Sequence, residues 1–259
     1  MNTLCSFWFS LPFYLLAFPY LLWMGVPIVS LGGVVVGYVF LRALTDSGAE
    51  WFKMASLKHG DLSLVTGVFS LYPVFMLITS PIITGDVPSV LGGVGVIIVT
   101  IGVFVLTGRS LSGGAGARGI WFAVCTALLF SLTSCFDRLA ALEAHPIVSA
   151  FWMTLLAGVF SLPPNMPAMR RILKQGIPAG FPVALLLWRG LFDMLFMTFK
   201  LFALQYLQAP YVAALTNIAL LISILAGGFI YKEQQIRRRF IGGVVILVGS
   251  AIVALNSQP

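Results

Sequence analysis

The sequence predicts an all-α polytopic membrane protein with about nine transmembrane helices, and three observations support this fold class. Of the 259 residues, 59% are hydrophobic and only 9% are charged, and the mean hydropathy is +1.02. A soluble domain carries roughly 25% charged residues, so this chain holds more apolar surface than a core in water could bury. The apolar residues form continuous runs rather than the alternating pattern of barrel strands. The basic residues lie in short segments between these runs, which indicates repeated crossing of a bilayer.

Nine apolar runs are long enough to cross a bilayer, which takes about 20 residues of helix. They occupy residues 4–24, 27–57, 62–84, 88–107, 118–140, 146–163, 179–207, 209–231 and 238–255. No basic segment precedes the first run and no small-residue cleavage site follows it, so we expect a retained helix rather than a signal peptide. The Gly-rich residues 109–117 are predicted to be a flexible linker, because their GxGxxG-like spacing lacks the βαβ context of a dinucleotide site.

The distribution of Lys and Arg predicts the orientation. One side of the bilayer collects ten basic residues, whereas the other side offers at most Arg138. The ten are Lys58, Arg109, Arg118, Arg170, Arg171, Lys174, Lys232, Arg237, Arg238 and Arg239. Because basic loops stay in the cytoplasm, we expect a multi-pass protein of the cell (inner) membrane with a cytoplasmic N-terminus and an external C-terminus. The net charge of +7 thus reflects topology, and we expect no nucleic-acid partner.

An internal repeat emerges when the sequence is shifted against itself by 147 residues. At this offset Arg42 falls on Arg189, Asp46 on Asp193 and Lys53 on Lys200. Because charged residues are scarce, three such matches within one pair of helices are difficult to obtain by chance. A unit with an odd number of helices inserts its second copy inverted, as in many transporters. We therefore predict two inverted five-helix repeats in a 4+5 arrangement: residues 1–108, lacking the first helix, and residues 118–259.

Charged residues line one face of two equivalent helices, and we predict that they line a substrate-binding cavity. The second run carries Arg42, Asp46, Glu50 and Lys53, and the seventh carries Arg189, Asp193 and Lys200. A charge near the bilayer centre costs about 2.5 kcal/mol or more, so these groups must face a partner helix or a water-filled cavity. Both signs of charge favour a zwitterionic or anionic ligand. The alternative is that the i, i+4 pairs neutralise each other and only join helices.

Glycines and the remaining reactive residues have simpler interpretations. Gly95, Gly102, Gly242 and Gly249 are predicted to let helices pack closely, and the offset relates the first two to the last two. The three cysteines lie within apolar runs, and the two histidines lie between runs. We find no catalytic or metal-binding spacing, so we expect a protein that is not an enzyme and has no metal or cofactor.

Three stretches resemble the drug/metabolite transporter superfamily, and in particular its EamA-like transporter family. They are Leu62–Leu106 with SLYPVF, ITGDVPS and glycines seven apart, Ala209–Leu255 with YKEQQI and GGVVILVG, and Gly119–Leu142. The resemblance implies ten helices in two inverted repeats around a central cavity, and it implies export or exchange of small metabolites. It also matches Asp86 and Glu233 to an acidic position that we interpret as structural. The chain departs from the family in its missing first helix and in its external C-terminus.

These features together favour a secondary transporter or facilitator, and more specifically an exporter, of a small polar metabolite. Asp46 or Asp193 could bind a proton and couple transport to its gradient. The missing helix leaves room for a homodimer contact or a partner chain. Two alternatives are a flippase for a lipid-linked substrate, and a degenerate membrane protein that transports nothing.

Overall fold

The computed structural model describes residues 2–28, 31–59, 68–69, 71–107, 117–175, 183–218 and 236–256. In these residues the regular secondary structure is helical, which confirms the predicted all-α class for this part of the chain. The helices are α1 (Asn2–Trp23), α2 (Gly33–His59), α3 (Tyr72–Ile83), α4 (Val90–Thr107), α5 (Ala117–Glu143), α6 (Pro146–Gln175), α7 (Val183–Tyr206), α8 (residues 209–218) and α9 (Ile236–Asn256). The number of transmembrane segments and the 4+5 arrangement stay predictions.

Helix boundaries differ from the predicted runs at the start of α2 and at the end of α6. The second run was expected to begin at residue 27, but α2 begins at Gly33. Gly25 ends the turn after α1 with a φ of 74°, a conformation that favours glycine, and Pro27 follows it. Helix α6 continues to Gln175, beyond the predicted end at residue 163. Arg170 is therefore an exposed helical residue rather than a loop residue.

Several expectations fall outside the described residues. The linker at residues 109–116, the start of the run at 62–84 and the end of the run at 209–231 lie there, as does Glu233. Within the described ranges, Arg118–Glu143 and Pro146–Pro163 are long and apolar enough to span a membrane. Phe7–Trp23, Tyr72–Ile83, Val90–Val105 and Ile241–Val253 form shorter apolar helices.

The chain forms two compact units. Unit 1 comprises Met1–Ser47 and Phe136–Gln205, and unit 2 comprises Gly48–Cys135 and Tyr206–Pro259. Each unit takes residues from both predicted repeats, so the compact units and the repeats divide the chain differently. The repeat boundaries stay a prediction.

In unit 2, α4 packs closely against α9 through glycines. A Cβ placed on Gly95 would lie 3.0 Å from the Gly249 carbonyl oxygen, and one on Gly102 would lie 2.8 Å from the Ile246 nitrogen. Gly95 lies by Gly249 and Gly102 lies by Gly242, so the two helices run antiparallel. Val96, Val99, Val103, Ile246 and Val253 pack around this contact with Tyr211 and Ala214 of α8.

Two tyrosine hydroxyls connect α8 to α3 and to the start of α4. The hydroxyl of Tyr211 accepts a hydrogen bond of 2.8 Å from the Ser89 backbone N–H, just before α4. Gly92 provides the space for this ring, because a Cβ there would lie 2.2 Å from the Tyr211 hydroxyl oxygen. On α3, the hydroxyl of Tyr72 donates to the Ala213 carbonyl oxygen at 3.1 Å.

In unit 1, α1 packs against α6 through aromatic rings. Phe151 makes edge-to-face contacts with Tyr14 and Phe18, with ring centroids 6.2 Å and 4.8 Å apart. Helix α7 approaches α1 at Gly190, where a Cβ would lie 2.3 Å from the Phe9 carbonyl oxygen. Unit 1 therefore brings α1, α6 and α7 together.

Candidate substrate site

Four charged side chains form a buried cluster in unit 1, which we call the charge cluster: Arg42, Asp46, Asp137 and Lys200. Arg42 Nε donates to Asp137 Oδ1 at 3.1 Å, and Arg42 Nη1 donates to Asp46 Oδ2 at 3.2 Å. Lys200 Nζ donates to Asp137 Oδ2 at 2.7 Å. Helices α2, α5 and α7 supply these residues, and their two positive and two negative charges sum to zero.

Asp137 holds the charge cluster together. Its side chain is fully buried, and each carboxylate oxygen accepts from a different cation. In a medium of low dielectric constant, an ion pair offsets its desolvation cost only with good geometry and satisfied hydrogen bonds. Asp137 meets both conditions, whereas the side chains of Asp46 and Lys200 keep 11% and 15% exposure. The cluster therefore has a buried anchor and a partly accessible edge.

Asp137 was missed by the sequence analysis. It is an acid inside the apolar run at 118–140, and that position alone could have marked it as a functional candidate. The offset of 147 gives it no equivalent in the chain, so the repeat comparison could not single it out. Its neighbour Arg138, the one basic residue expected on the other side of the bilayer, lies within α5, which extends to Glu143, and it donates to the Leu204 carbonyl oxygen on α7.

The other charged residues of the α2 face belong to unit 2. Lys53 Nζ pairs with Glu50 Oε1 and lies 5.6 Å from the centre of the Phe130 ring, a cation–π contact. Oε2 of Glu50 is buried and has no hydrogen-bond partner in the described part of the chain. The four predicted residues of α2 are thus divided, with Arg42 and Asp46 in unit 1 and Glu50 and Lys53 in unit 2.

Arg189 and Asp193 form an ion pair on α7, with Arg189 Nε 3.7 Å from Asp193 Oδ2. Their side chains are 45% and 46% exposed, so this pair is far more accessible than the charge cluster. An apolar groove of about 310 Å³ in unit 1 is lined by Phe13, Ala184, Leu187, Trp188 and Leu191. None of the seven predicted charged residues lines this groove. Among the described residues, no group of three or more His, Cys, Asp or Glu side chains could hold a metal ion.

Comparison with known proteins identifies the family. The model of the EamA-like transporter family matches residues 117–255, which is more than half of the chain. Among 26 similar chains of solved structures, one crystal structure has a TM-score of 0.73 at 19% identity and covers 98% of this chain and 88% of its own. This likeness shows a shared fold. No curated protein matches the sequence significantly. The chain therefore belongs to the EamA-like transporter family, a family of membrane transporters of the drug/metabolite type.

Proposed function

We propose that this protein is a secondary transporter or facilitator that exports a small polar metabolite, zwitterionic or anionic, through a central pathway. One observation carries the proposal: the neutral charge cluster buried among α2, α5 and α7. Ionisable residues within membrane segments are rare because they cost several kcal/mol, and they mark substrate or ion pathways. A purely structural contact between helices could be made at lower cost by apolar residues of similar size.

The charge cluster retains groups that a substrate could use. Arg42 carries five N–H donors, and its contacts with Asp137 and Asp46 engage only two of them. Its Nη2 has a weak thioether acceptor, Met197 Sδ, at 3.9 Å. Asp46 and Lys200 are partly exposed and have opposite charges. This combination suits a small ligand that carries both charges, or a single negative charge, better than an apolar ligand.

The packing of equivalent helices supports an inverted-repeat mechanism. Adding the offset of 147 to α4 gives residues 237–254, which lie in α9, and adding it to α1 gives residues 149–170, which lie in α6. The contacts α4–α9 and α1–α6 thus join helices that the offset relates. The offset also relates Gly95 to Gly242 and Gly102 to Gly249. Applied to both partners of the contact Gly95–Gly249, it gives Gly242–Gly102, which is also a contact between these helices. Such pairing is expected when two inverted copies move against each other to expose a site alternately to each side.

A transport assay with carboxylate variants tests this function. Metabolite profiles of cells that overproduce the protein identify the compound whose distribution changes, and uptake of that compound is then measured in proteoliposomes with and without a pH gradient. We expect Asp46→Asn and Asp193→Asn, and the matched Arg189→Gln, to lower the initial rate about tenfold or more while the protein remains in the membrane. Loss of the response to the pH gradient in one variant would assign proton coupling to that carboxylate.

The control is Glu143→Gln, which removes an exposed carboxylate at the end of α5 and should change the rate less than about twofold. Unchanged transport in the Asp46, Asp193 and Arg189 variants would contradict the proposal. Translocation of a lipid-linked compound alone, with no small metabolite moved, would contradict it in favour of a flippase.

A further inference from the structure

Two hydroxyl groups in unit 1 are buried, and neither meets a partner at normal hydrogen-bond geometry in the described part of the chain. Tyr14 of α1 is fully buried and Thr198 of α7 is 8% exposed. The Tyr14 hydroxyl lies beside those of Thr154 and Thr198, but the geometry gives neither Tyr14 Oη nor Thr198 Oγ1 a partner among the described residues. A buried polar group left unpaired is energetically costly, because it has lost its hydrogen bonds to water. Its presence in a folded protein therefore calls for an explanation, such as a water molecule or a ligand.

The guanidinium group of Arg42 belongs to the same neighbourhood. Arg42 and Tyr14 interact electrostatically, and Arg42 Nη2 contacts Met197, the residue that precedes Thr198 on α7. Because a sulfur atom at 3.9 Å is a weak acceptor, Nη2 still has capacity to donate. Tyr14, Thr198 and Arg42 therefore belong to one neighbourhood, to which α1, α7 and α2 each contribute a side chain.

We propose that the hydroxyls of Tyr14 and Thr198, together with Nη2 of Arg42, form a subsite that binds a carboxylate group of the substrate. The inference rests on the proposed transport function, which it extends to a specific chemical group. A guanidinium group only donates hydrogen bonds, so the atoms it binds must be acceptors. The two oxygens of a carboxylate can accept from Nη2 and from the hydroxyls at the same time, and charge-assisted bonds of this kind are strong.

The charges around the subsite favour a carboxylate over a phosphate group. The charge cluster is neutral as a whole, so it offers no surplus of positive charge to balance a dianion. Asp193, which also interacts electrostatically with the Tyr14 hydroxyl, is paired with Arg189, so this pair adds no surplus of positive charge either. A single negative charge is compatible with this balance.

Ligand-dependent protection of the purified protein tests the subsite. Thermal unfolding in detergent is followed at constant ionic strength with acetate, phenylacetate, L-alanine and L-phenylalanine. Each is compared with its uncharged-carboxyl partner, namely acetamide, phenylacetamide, L-alaninamide or L-phenylalaninamide, and inorganic phosphate is tested beside them. We expect at least one carboxylate to protect the wild-type protein at a concentration about tenfold lower than its amide does.

The variant Y14F/T198V removes both hydroxyls with little change of shape, and we expect it to lose the preference for the carboxylate. The matched control Y20F/T45V changes an exposed tyrosine of α1 and a threonine of α2 that donates to backbone carbonyl oxygens, and it should keep the preference. If the double variant does not fold, Tyr14→Phe alone should weaken the preference about tenfold. The conservative change Thr198→Ser should retain it.

Three results would overturn the subsite: no carboxylate is preferred over its amide, the preference survives in Y14F/T198V, or phosphate protects as well as the carboxylates. The second result is also the one expected if a structural water satisfies the hydroxyls. Proteoliposome uptake separates this proposal from the proposed function. Carboxylate binding without transport would support the subsite and contradict the proposed transport function. Transport together with an unchanged carboxylate preference in Y14F/T198V would support the transport function and contradict the subsite.

Discussion

At the scale of single residues, the charge cluster depends on Asp137 more than on the residues that the repeat singled out. Arg42 and Lys200 both donate to this carboxylate, Arg42 to Oδ1 and Lys200 to Oδ2. Asp46 lies at the partly exposed edge and pairs only with Arg42 in the contacts of the cluster. The positions of the two acids therefore differ, because Asp137 is fully buried between two cations and the Asp46 side chain keeps 11% exposure.

Replacing Asp137 by Asn should strongly destabilise the protein. The change leaves Arg42 and Lys200 buried beside a neutral amide, and removal of one partner from a buried ion pair costs about 3–5 kcal/mol. The unfolding midpoint in detergent measures the effect. Asp193→Asn is the matched control, because its ion pair is about half exposed and should contribute only about 0–1 kcal/mol. Equal midpoints for the two variants would show that Asp137 does not anchor the cluster.

At the scale of helices, glycines determine how closely α4 and α9 approach. Their spacing of seven residues puts Gly95 and Gly102 on the same face of α4, and Gly249 meets the Val99 backbone between them. Gly93 is two residues away and on another face, where a Cβ would be 4.0 Å from Leu77 Cδ2. A methyl group at the first set of positions must therefore displace backbone, whereas Gly93 has room for one.

Alanine substitutions in α4 and α9 should separate these two kinds of glycine. We expect Gly95→Ala, Gly102→Ala and Gly249→Ala to lower the free energy of unfolding by about 1–3 kcal/mol each, because a new Cβ would lie within about 3 Å of backbone atoms. Gly93→Ala should be neutral or slightly stabilising, since alanine has the higher helix propensity. Thermal unfolding of the four purified variants checks the order, and a destabilised Gly93→Ala with a neutral Gly95→Ala would contradict it.

At the scale of the whole molecule, the basic residues predict how the chain is oriented in the membrane. Structural contacts carry no information on which end faces the cytoplasm, so this prediction depends on the charge distribution alone. The helical extension of α6 keeps Arg170 at the end of a long helix and does not change the side on which it is expected.

Topology reporters test the orientation. Alkaline phosphatase fused after Pro259 should be active and green fluorescent protein should be dark there, because the C-terminus is expected outside the cytoplasm. The matched fusion after Gln175, at the end of α6, should give the opposite pair of signals. The reverse pattern at both sites would show that the ten basic residues lie outside and that the orientation is wrong.

The sequence by itself determined the properties that depend on composition and pattern. Apolar runs specify helices in lipid because the backbone must satisfy its own hydrogen bonds there, and the scarcity of charges made the offset of 147 visible. The sequence also pointed to the family, which the match over residues 117–255 establishes. For the candidate site, the sequence singled out Arg42, Asp46 and Lys200, which lie together in the charge cluster. Their role in substrate binding stays a prediction.

Only the tertiary structure decided which of these groups lie together and which are accessible. Helical spacing placed Glu50 and Lys53 on one face with Arg42, yet they pair in unit 2, and Arg189–Asp193 is about half exposed. Asp137 and Tyr14 entered the site through packing of α5 and α1, because burial and proximity between distant segments depend on how helices contact each other. A one-dimensional pattern describes a single helix face, whereas Asp137, the shared partner of Arg42 and Lys200, is supplied by another helix.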